Sequence, residues 1–388
     1  MTTPGAGSTE DPDWKSLPLD DLTLTRKEGF AAFAEAVDPQ RPPDMTMAAL
    51  QALSSEAKDE HNLARRAYLA NLRPIKTAQA DALVGDLADI LEAGLDQPYW
   101  EAKGMAAVDA FPGLGKTTVG LSFAKRVHND MIRQQGRLTA GGHERWPVIR
   151  VGMMGDTKVK DFNWAMLEYF AHAGRSSGTA NSFLAQALDC AVACESRLLL
   201  VDDLHFLKFR SKNGAELANQ FKTIANEFPV MILFIGYNLR EKGLYEDPQL
   251  GRRITPLRLA PFTIENEAAR RQWRSFLLTL EQRLVLARKY PGMLADDLSD
   301  HLYARCSGHI GSLMTLIKRA CLRAVRTGEE RLTLDLMTQV KLDQAADEQR
   351  ARWEEMLASG KKTSKPKRTR RQRGGRSDTA DPDGTATG

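Results

Sequence analysis

The sequence predicts an α/β protein: a mostly parallel β-sheet with helices on both faces, followed by an all-helical unit. Two observations carry this prediction. Short apolar, strand-like segments alternate with helical patterns through the middle of the chain, an order typical of parallel sheets. After Pro261 this alternation stops, and helical spacing of apolar residues continues alone to about Leu357.

Charge is distributed unevenly along the 388 residues, although the total is only +4. Residues 1–60 carry −7, residues 61–360 carry +5 and residues 361–388 carry +6. Together with the change at Pro261, this divides the chain into four regions. We predict an acidic, partly disordered N-terminal extension at 1–60, an α/β core with preceding helices at 61–261, a helical unit at 262–357 and a basic, disordered tail at 358–388.

Helical patterns precede the predicted sheet. Thr25 and Glu28 have the T-x-x-E spacing of a capping box, ahead of a short helix that carries Phe30 and Phe33. Because this helix has no visible core of its own, we favour its packing on the α/β core over a role as a docking peptide for a partner. Longer amphipathic patterns follow at about 47–72 and 78–91.

The elements of the predicted sheet follow one another closely, so that each strand is separated from the next by at least one helix. Runs of apolar and β-branched residues mark the strands, and apolar residues spaced three or four positions apart mark the helices. We expect strands at 105–110, 148–153, 198–201 and 230–235 and a fifth strand-like stretch after residue 253, with helices at 117–133 and up to about residue 227.

Composition excludes several classes of protein. No apolar run approaches the roughly 18 residues that a membrane helix needs, and the first residues lack the basic and apolar regions of a secretory signal. The four cysteines have none of the spacings of a zinc site, and packed thiols explain all four. We therefore predict a cytoplasmic protein with no membrane partner.

The turn after the first strand has the sequence of a phosphate-binding loop (P-loop). The stretch AFPGLGKT at 110–117 follows G-x-x-x-x-G-K-[ST], except that Ala110 replaces the first glycine. The glycines let backbone N–H groups turn toward a phosphate, and the next helix adds its dipole. A strand before and a helix after disfavour a chance glycine-rich turn. The predicted nucleotide-binding residues are Gly113, Leu114, Gly115, Lys116, Thr117 and Thr118, with Lys116 on the β- and γ-phosphates and the Thr117 hydroxyl on Mg²⁺.

A second motif supports this site. The apolar strand at 198–201 ends in Asp202 and Asp203, the Walker B pattern. Asp202 is expected to hold Mg²⁺, and Asp203 to orient the attacking water as a base. A turn-forming aspartate pair is common in isolation but is disfavoured at this distance after a P-loop lysine. Since Asp203 is one methylene shorter than glutamate, we expect slow turnover.

Three further residues are candidates by position. Asn238 follows an apolar strand, where it either contacts the γ-phosphate or its water or simply ends the strand. Arg252 and Arg253 precede the fifth strand, where paired arginines suit the charge that develops on a neighbouring subunit's nucleotide. A solvated pair is the alternative, and their position favours catalysis, more for Arg253 than for Arg252. The predicted catalytic residues are Lys116, Asp203, Asn238, Arg252 and Arg253.

Together these motifs resemble an AAA+ ATPase, and within that superfamily the TniB/TnsC transposition ATPases. The resemblance covers about residues 61–345. The P-loop and Walker B are shared across the superfamily, whereas other stretches point to this family. They are RRAYL at 65–69, VDDLH at 201–205, DPQLGRR at 247–253 and GHIGSL at 308–313.

The resemblance implies an ATPase core with a helical lid, and ATP and Mg²⁺ as cofactors. It implies that ATP drives assembly of a homo-oligomer, a ring or a helical filament, on double-stranded DNA. That oligomer would recruit a DDE-type transposase and choose its target site. We therefore expect a slow, DNA-stimulated ATPase, which hydrolyses ATP to ADP and phosphate and regulates transposition.

Two other functions stay open. Besides Ala110 and Asp203, the sequence departs from many AAA+ proteins because no arginine stands directly after Ser312, where the lid often carries a sensor residue. These departures favour a nucleotide-gated loader or adaptor that hardly hydrolyses ATP. An NTPase of a defence or signalling system usually appends an effector or repeat domain, and the sequence gives no sign of one after residue 345.

Basic residues in three places are candidate DNA contacts. Two of these places are loops that carry single, spaced cations, which suit phosphate contact without base recognition. An ordinary solvated loop explains them equally well. A solvated face explains the lid arginines more often than DNA does, whereas the acid-free stretch at 361–373 suits a nucleic-acid arm better than a solubilising tail. The candidates are Lys158 and Lys160 in one loop, Lys208, Arg210 and Lys212 in another, and Arg319, Arg323 and Arg326 in the lid.

Overall fold

The computed structural model describes residues 23–37, 39–98, 100–170 and 177–342. Both predicted disordered termini, with the basic stretch at 361–373 and the end of the predicted helical unit, lie outside the described residues. Within these ranges the chain forms thirteen α-helices and five β-strands. In chain order they are α1 (Lys27–Glu35), α2 (Met47–Gln51), α3 (Ser55–Ala70), α4 (Ala78–Asp96), β1 (Met105–Asp109), α5 (Lys116–Gln135), β2 (Val148–Gly152), α6 (Val159–Tyr169), α7 (Ala180–Ala193), β3 (Leu198–Asp202), α8 (Lys212–Glu227), β4 (Met231–Gly236), α9 (Pro248–Gly251), β5 (Ile254–Arg258), α10 (Glu267–Arg283), α11 (Ser299–Cys306), α12 (Ile310–Thr327) and α13 (Leu334–Gln339).

The five strands form one parallel sheet in the order β2-β3-β4-β1-β5. β3 and β4 lie inside the sheet and are buried along their whole length, which explains their unbroken apolar runs. β5 lies at an edge, where Pro256 is tolerated although it has no N–H for the ladder. Helices α4, α5 and α6 pack on the sheet. The predicted α/β class with a parallel sheet is confirmed, and the four strands with predicted bounds agree within one residue.

Two apolar cores lie on either side of the junction between β5 and α10. The first surrounds the sheet and includes Leu200 and Phe234, which are fully buried. The second lies among α10 to α13 and includes Leu277 and Leu316. In the part of the chain that the structure describes, all regular structure after β5 is helical. No helix in those ranges is long and apolar enough to span a membrane.

The N-terminal helices divide between these two cores. Phe30 of α1 is fully buried and its ring lies 5.6 Å from that of His128 on α5, which confirms that this helix packs on the α/β core. In contrast, α3 packs on α12, and its Leu69 is fully buried in the helical core. Residues 61–70 were predicted with the α/β core, so their packing differs from that expectation. The other region boundaries stay predictions.

Two local predictions at helix starts are wrong. The capping box of Thr25 and Glu28 does not form, because α1 begins after Arg26 without a side-chain cap, and Thr25 Oγ1 lies 2.7 Å from Thr23 Oγ1 instead. The single pattern at 47–72 is divided into α2 and α3. The division arises because Ser54 Oγ accepts the N–H of Ala57 at 3.2 Å and starts a new helix.

One buried ion pair joins α3 to the helical unit. Arg65 Nη1 and Nη2 donate to the two carboxylate oxygens of Glu330 at 2.6 and 2.8 Å, and both side chains are only 2% exposed. Glu330 also accepts the N–H of Ala287 at 3.0 Å. Since both charges are removed from water, each depends on the other for compensation.

Arg65→Gln is expected to lower the free energy of unfolding by about 3–5 kcal/mol, because it leaves the Glu330 carboxylate buried without its counter-charge. Urea unfolding followed by circular dichroism measures this change. Arg271→Gln is the matched control, since Arg271 pairs with Glu267 at 3.7 Å with both side chains 70% exposed. The control should change stability by less than about 0.5 kcal/mol. Equal effects of the two substitutions would contradict the importance of the buried pair.

Candidate nucleotide-binding site

The P-loop connects β1 to α5 through two glycines in the left-handed conformation. Gly113 has a φ of +78° and Gly115, which precedes the first residue of α5, has a φ of +87°. Side chains rarely adopt these angles, so both positions require glycine. Ala110 is buried and has a negative φ, and its N–H donates to Gly236 O at 3.1 Å. An alanine is therefore accommodated where the consensus has its first glycine.

Lys116 lies in the first turn of α5, beside the carboxyl ends of β1 and β3. Burial lowers the pKa of its ammonium group, and the nearby carboxylates of Asp202, Asp203 and Asp109 act in the opposite direction. Thr118 is exposed in the same turn. The structure thus brings the predicted lysine and both Walker B aspartates together at one edge of the sheet.

Asp202, the last residue of β3, is 2% exposed and has a partner on each carboxylate oxygen. Its Oδ1 accepts from the Thr117 hydroxyl at 3.4 Å and from the N–H of Asp203 at 2.9 Å. Its Oδ2 accepts from Arg150 Nη2 at 3.1 Å. A hydroxyl beside a carboxylate offers the hard oxygen ligands that Mg²⁺ prefers, so Thr117 and Asp202 fit that ion.

Asp203 follows in the left-handed conformation, with a φ of +58° and a side chain that is 46% exposed. Its Oδ1 lies 3.9 Å from His205 Nδ1. The His205 ring lies 4.4 Å from the ring of Phe206 and 4.5 Å from that of Tyr237. Burial lowers the pKa of His205, whereas the Asp203 carboxylate favours its charged form. The Asp203 carboxylate remains accessible to water.

Two charged residues at this edge were not predicted. Arg150 lies two residues before Gly152, the residue of β2 that pairs with Asp202, so both charges are on one face of the sheet. Asp109 Oδ2 accepts the N–H of Leu239 at 3.1 Å and joins the end of β1 to the loop after β4. The available signals were an arginine inside an apolar strand and an aspartate at the end of another.

Asn238 lies at the same edge, two residues after β4, with a φ of +53°. Because β4 pairs with β1, its carboxyl end is adjacent to the strand that leads into the P-loop. The main-chain carbonyl of Asn238 accepts the N–H of Lys242 at 2.9 Å. This position suits a contact with phosphate or water, and the left-handed φ equally suits an asparagine that ends a strand.

Arg252 and Arg253 lie at the opposite edge of the sheet. They directly precede β5, and the N–H of Met105 at the start of β1 donates to Arg253 O at 3.2 Å. Because β1 and β5 are parallel, this is the amino end of the strands, away from the P-loop. Arg253 Nη1 donates to Asn226 Oδ1 at 2.6 Å, whereas Arg252 is exposed. Neither arginine is therefore brought to Lys116 of its own chain.

Comparison with known proteins identifies the family to which this arrangement belongs. A sequence profile described as bacterial TniB protein matches residues 65–264, which include the P-loop, Walker B and both arginines. The chain belongs to the TniB family. The resemblance inferred from the motifs is confirmed over that range, while GHIGSL at 308–313 lies outside it. No curated protein sequence is a significant match to the chain.

Two solved structures resemble this TniB-family protein. The Aeropyrum pernix Orc1 protein, solved in complex with DNA, superposes with a TM-score of 0.51 at 19% identity, over 76% of this chain and 69% of that one. The Aeropyrum pernix Orc2 protein, solved as ADPNP–ADP complexes, superposes with a TM-score of 0.50 at 16% identity, over 69% of each chain. At such identities the likeness concerns the fold alone, which is that of the AAA+ ATPases.

In this TniB-family protein the helical lid contacts the P-loop through main-chain atoms. The N–H of Gly311, at the start of α12, donates to Gly113 O at 2.7 Å. A Cβ atom at Gly311 would lie 2.9 Å from that oxygen, so only glycine fits the contact. The residue directly after Ser312 is Leu313 and not an arginine, so this contact joins lid and P-loop without a positive charge from that position.

Some candidate DNA contacts of this TniB-family chain have partners within the protein. Arg210 Nε donates to Glu246 at 3.0 Å, and Arg319 and Arg323 donate to main-chain carbonyls that follow α13 or end it. Such arginines stabilise the fold and are less available to a ligand. The remaining candidates are exposed side chains, namely Lys158, Lys160, Lys208, Lys212 and Arg326.

Gly311→Ala is expected to separate the lid from the P-loop, because the new methyl group would clash with the Gly113 backbone. Loss of a hydrogen bond worth about 1 kcal/mol should speed hydrogen–deuterium exchange several-fold, in the P-loop and in the first turn of α12. Gly85→Ala is the matched control, since Gly85 lies in α4 where a Cβ atom meets nothing within 4 Å. It should leave P-loop exchange unchanged. Unaltered P-loop exchange in Gly311→Ala would contradict the lid contact.

Proposed function

We propose that this chain is an ATP-dependent DNA-binding AAA+ protein that assembles on DNA and regulates transposase recruitment and target selection. The observation that carries the proposal is the convergence of Lys116, Thr117 and Asp202 at the carboxyl edge of a parallel sheet, in a chain of the TniB family. Membership of that family and the AAA+ fold support a nucleotide-dependent protein, and the finer roles below extend that conclusion.

The chain's own groups suit the triphosphate of ATP. Backbone N–H groups between Gly113 and Thr118 surround the β-phosphate at the amino end of α5, where the helix dipole favours negative charge. Lys116 balances the charge of the β- and γ-phosphates. When bound, Mg²⁺ neutralises phosphate charge, and the Thr117 hydroxyl and Asp202 carboxylate hold it.

Hydrolysis is assigned to Asp203, which orients the attacking water as a base. Its carboxylate is 46% exposed and lies beside His205, so it is accessible to that water. Asn238 holds the water or the γ-phosphate from the adjacent strand. Because an aspartate reaches less far than a glutamate, the rate is slow, and hydrolysis serves to time the release of DNA.

DNA binding is proposed from the family, the fold and the charge. The Aeropyrum pernix Orc1 protein of similar fold was solved in complex with DNA. The positive charge of this chain lies in residues 61–360 and 361–388. Exposed Lys158, Lys208 and Lys212, together with the stretch at 361–373, suit duplex phosphates without base recognition. The partner is a DDE-type transposase, and the site of action is the cytoplasm, where bacterial DNA is found.

A homo-oligomer, as a ring or a helical filament, completes the catalytic site. Arg252 and Arg253 lie at the amino edge of the sheet, so they serve the nucleotide of a neighbouring chain. The Arg253 guanidinium is held by Asn226, whereas Arg252 is exposed and has no side-chain partner among the described residues. Arg252 is thus more available than Arg253 to a neighbouring chain, although the positions of the two residues in the sequence favour Arg253.

A nucleotide-gated loader or adaptor is the second candidate function. The contact between Gly311 and Gly113 favours this function. A lid that meets the P-loop through backbone atoms senses bound nucleotide without supplying a cation to stabilise the transition state of hydrolysis. Both functions share the ATP site and differ in hydrolysis.

ATP turnover with and without duplex DNA tests the proposal. Lys116→Ala should weaken ATP binding by at least about tenfold through loss of a charged contact, whereas Lys58→Ala on α3 is the control and should not. Asp203→Asn should retain ATP and lose about 10²-fold or more in turnover. Removal of residues 361–388 should lower DNA affinity and flatten its salt dependence.

Each arm has a result that counts against the proposal. Undiminished ATP affinity in Lys116→Ala rejects the nucleotide site. Tight ATP binding without hydrolysis, even on DNA, selects the adaptor. An unchanged salt dependence after removal of the tail rejects it as a DNA arm.

Mixed oligomers test the arginines. A chain with Arg252→Ala and Arg253→Ala should bind ATP but not hydrolyse it, and a Lys116→Ala chain keeps both arginines without binding ATP. An equal mixture should regain about a quarter of the wild-type rate, since one neighbouring pair in four joins an intact P-loop to an intact arginine pair. A mixture as inactive as its components contradicts action between chains.

A further inference from the structure

The ion pair between Arg150 and Asp202 occupies the carboxylate that is proposed to hold Mg²⁺. Arg150 Nη2 lies 3.1 Å from Asp202 Oδ2, and the two side chains are 13% and 2% exposed. The other carboxylate oxygen accepts from Thr117 and from the N–H of Asp203. Protein groups thus contact both oxygens of the Asp202 carboxylate.

Arg150 is poorly satisfied for a buried arginine. Its Nε is buried and has no hydrogen-bond partner in the described ranges, and neither does the hydroxyl of Tyr169. The pKa of Tyr169 is raised overall because burial disfavours its charged form, and the positive charge of Arg150 acts in the opposite direction. Among the described residues, Arg65 Nε is equally unpartnered within its pair with Glu330, so what distinguishes Arg150 is the carboxylate that it faces, that of Asp202.

Arg145 provides the contrast. Its side chain is 6% exposed, against 13% for Arg150, and it pairs with Glu195, to which its Nε and Nη2 donate at 3.0 and 2.6 Å. Its Nη1 donates to three main-chain carbonyls at the end of α5 and just beyond it. Arg145 is thus a structural arginine with its donors used, at the end of α5 remote from Lys116. Arg150 directs its charge to Asp202 and leaves a donor unused.

The charges around Asp202 sum to −1, and Arg150 supplies the positive charge in direct contact with this carboxylate. Lys116 and Arg150 face three carboxylates, those of Asp109, Asp202 and Asp203. A divalent cation that approached Asp202 alone would meet the guanidinium at close range and be repelled. The phosphates of a nucleotide add negative charge and further oxygen ligands, which outweigh the repulsion by the guanidinium.

We propose that Arg150 is the resident counter-ion of Asp202, which keeps Mg²⁺ off this carboxylate until a nucleotide is present. Arg150 is a positioning residue, because it acts through Asp202 and not on phosphate. The inference rests on the proposed function in taking Asp202 as the magnesium ligand. Its consequence is that Mg²⁺ enters together with the nucleotide and that the empty site is stable without the ion.

Thermal unfolding and calorimetric titration with Mg²⁺ alone, without nucleotide, test this role. The melting temperature of the wild-type protein should be the same in EDTA and in Mg²⁺ at matched ionic strength. Arg150→Met should melt lower in EDTA and regain stability in Mg²⁺, with at least about tenfold tighter Mg²⁺ binding, since a charge at this distance changes ion binding by tenfold or more. Arg150→Lys, which keeps the charge, should behave as the wild type.

Arg145→Met is the control, with the same change at a buried arginine whose carboxylate partner, Glu195, is 27% exposed. It should melt lower, and Mg²⁺ should not restore it. In Arg150→Met combined with Asp202→Asn, the recovery in Mg²⁺ should disappear because the orphaned carboxylate is gone. If Arg150→Met fails to fold in EDTA, folding on addition of Mg²⁺, absent from the double variant, supports the proposal.

Equal destabilisation of Arg150→Met in EDTA and in Mg²⁺, or failure to fold in both, would overturn the role of Arg150. Recovery of Arg145→Met in Mg²⁺ would do the same. Because these measurements contain no nucleotide, their failure leaves the proposed function standing. Failure of the wild-type protein to bind ATP would reject the proposed function instead.

Discussion

The buried carboxylate of Asp202 is the constraint on which the rest of the candidate site depends. It ends a strand that is buried along its whole length, so its charge has to be met by protein groups and not by water. Those groups come from Arg150 on β2, from Thr117 at the start of α5 and from the N–H of Asp203. One carboxylate thereby fixes the edge strand, the P-loop helix and the Walker B turn relative to one another.

The lid is attached to this centre from two directions. At its amino end, α12 contacts the P-loop through Gly311 and Gly113, where a side chain on Gly311 would not fit. Along its length, α12 packs against α3, and the buried pair of Arg65 and Glu330 fixes α3 to the helical unit. A nucleotide that displaced the P-loop would therefore move α12 and α3 together. Helix α3, which precedes the sheet in the sequence, is thus joined to the lid.

Local patterns predicted what is determined locally. The apolar runs predicted the strands, and the glycines of the P-loop have the positive φ that their motif requires. Features that depend on long-range pairing were missed: Arg150 has meaning only through the register of β2 and β3, and Asp109 only through the loop after β4. The capping box predicted at Thr25 does not form. The long-range burial of Phe30 against α5, and not a local cap, sets where α1 lies. The packing of α3 could not be read from its position ahead of the sheet.

The use of arginine and lysine bears on how DNA would be recognised. Arginines at the junctions of this fold are engaged internally, as in the pairs of Arg65 with Glu330 and of Arg145 with Glu195. Exposed positions near the carboxyl edge of the sheet carry lysines instead, such as Lys158 and Lys208. A lysine acts as a point charge on a flexible stem, whereas arginine presents a planar fork of donors. A surface of this kind suits contact with phosphates without base recognition. Target choice in the proposed function therefore has to come from how chains assemble and which partner they recruit, not from base contacts by these loops.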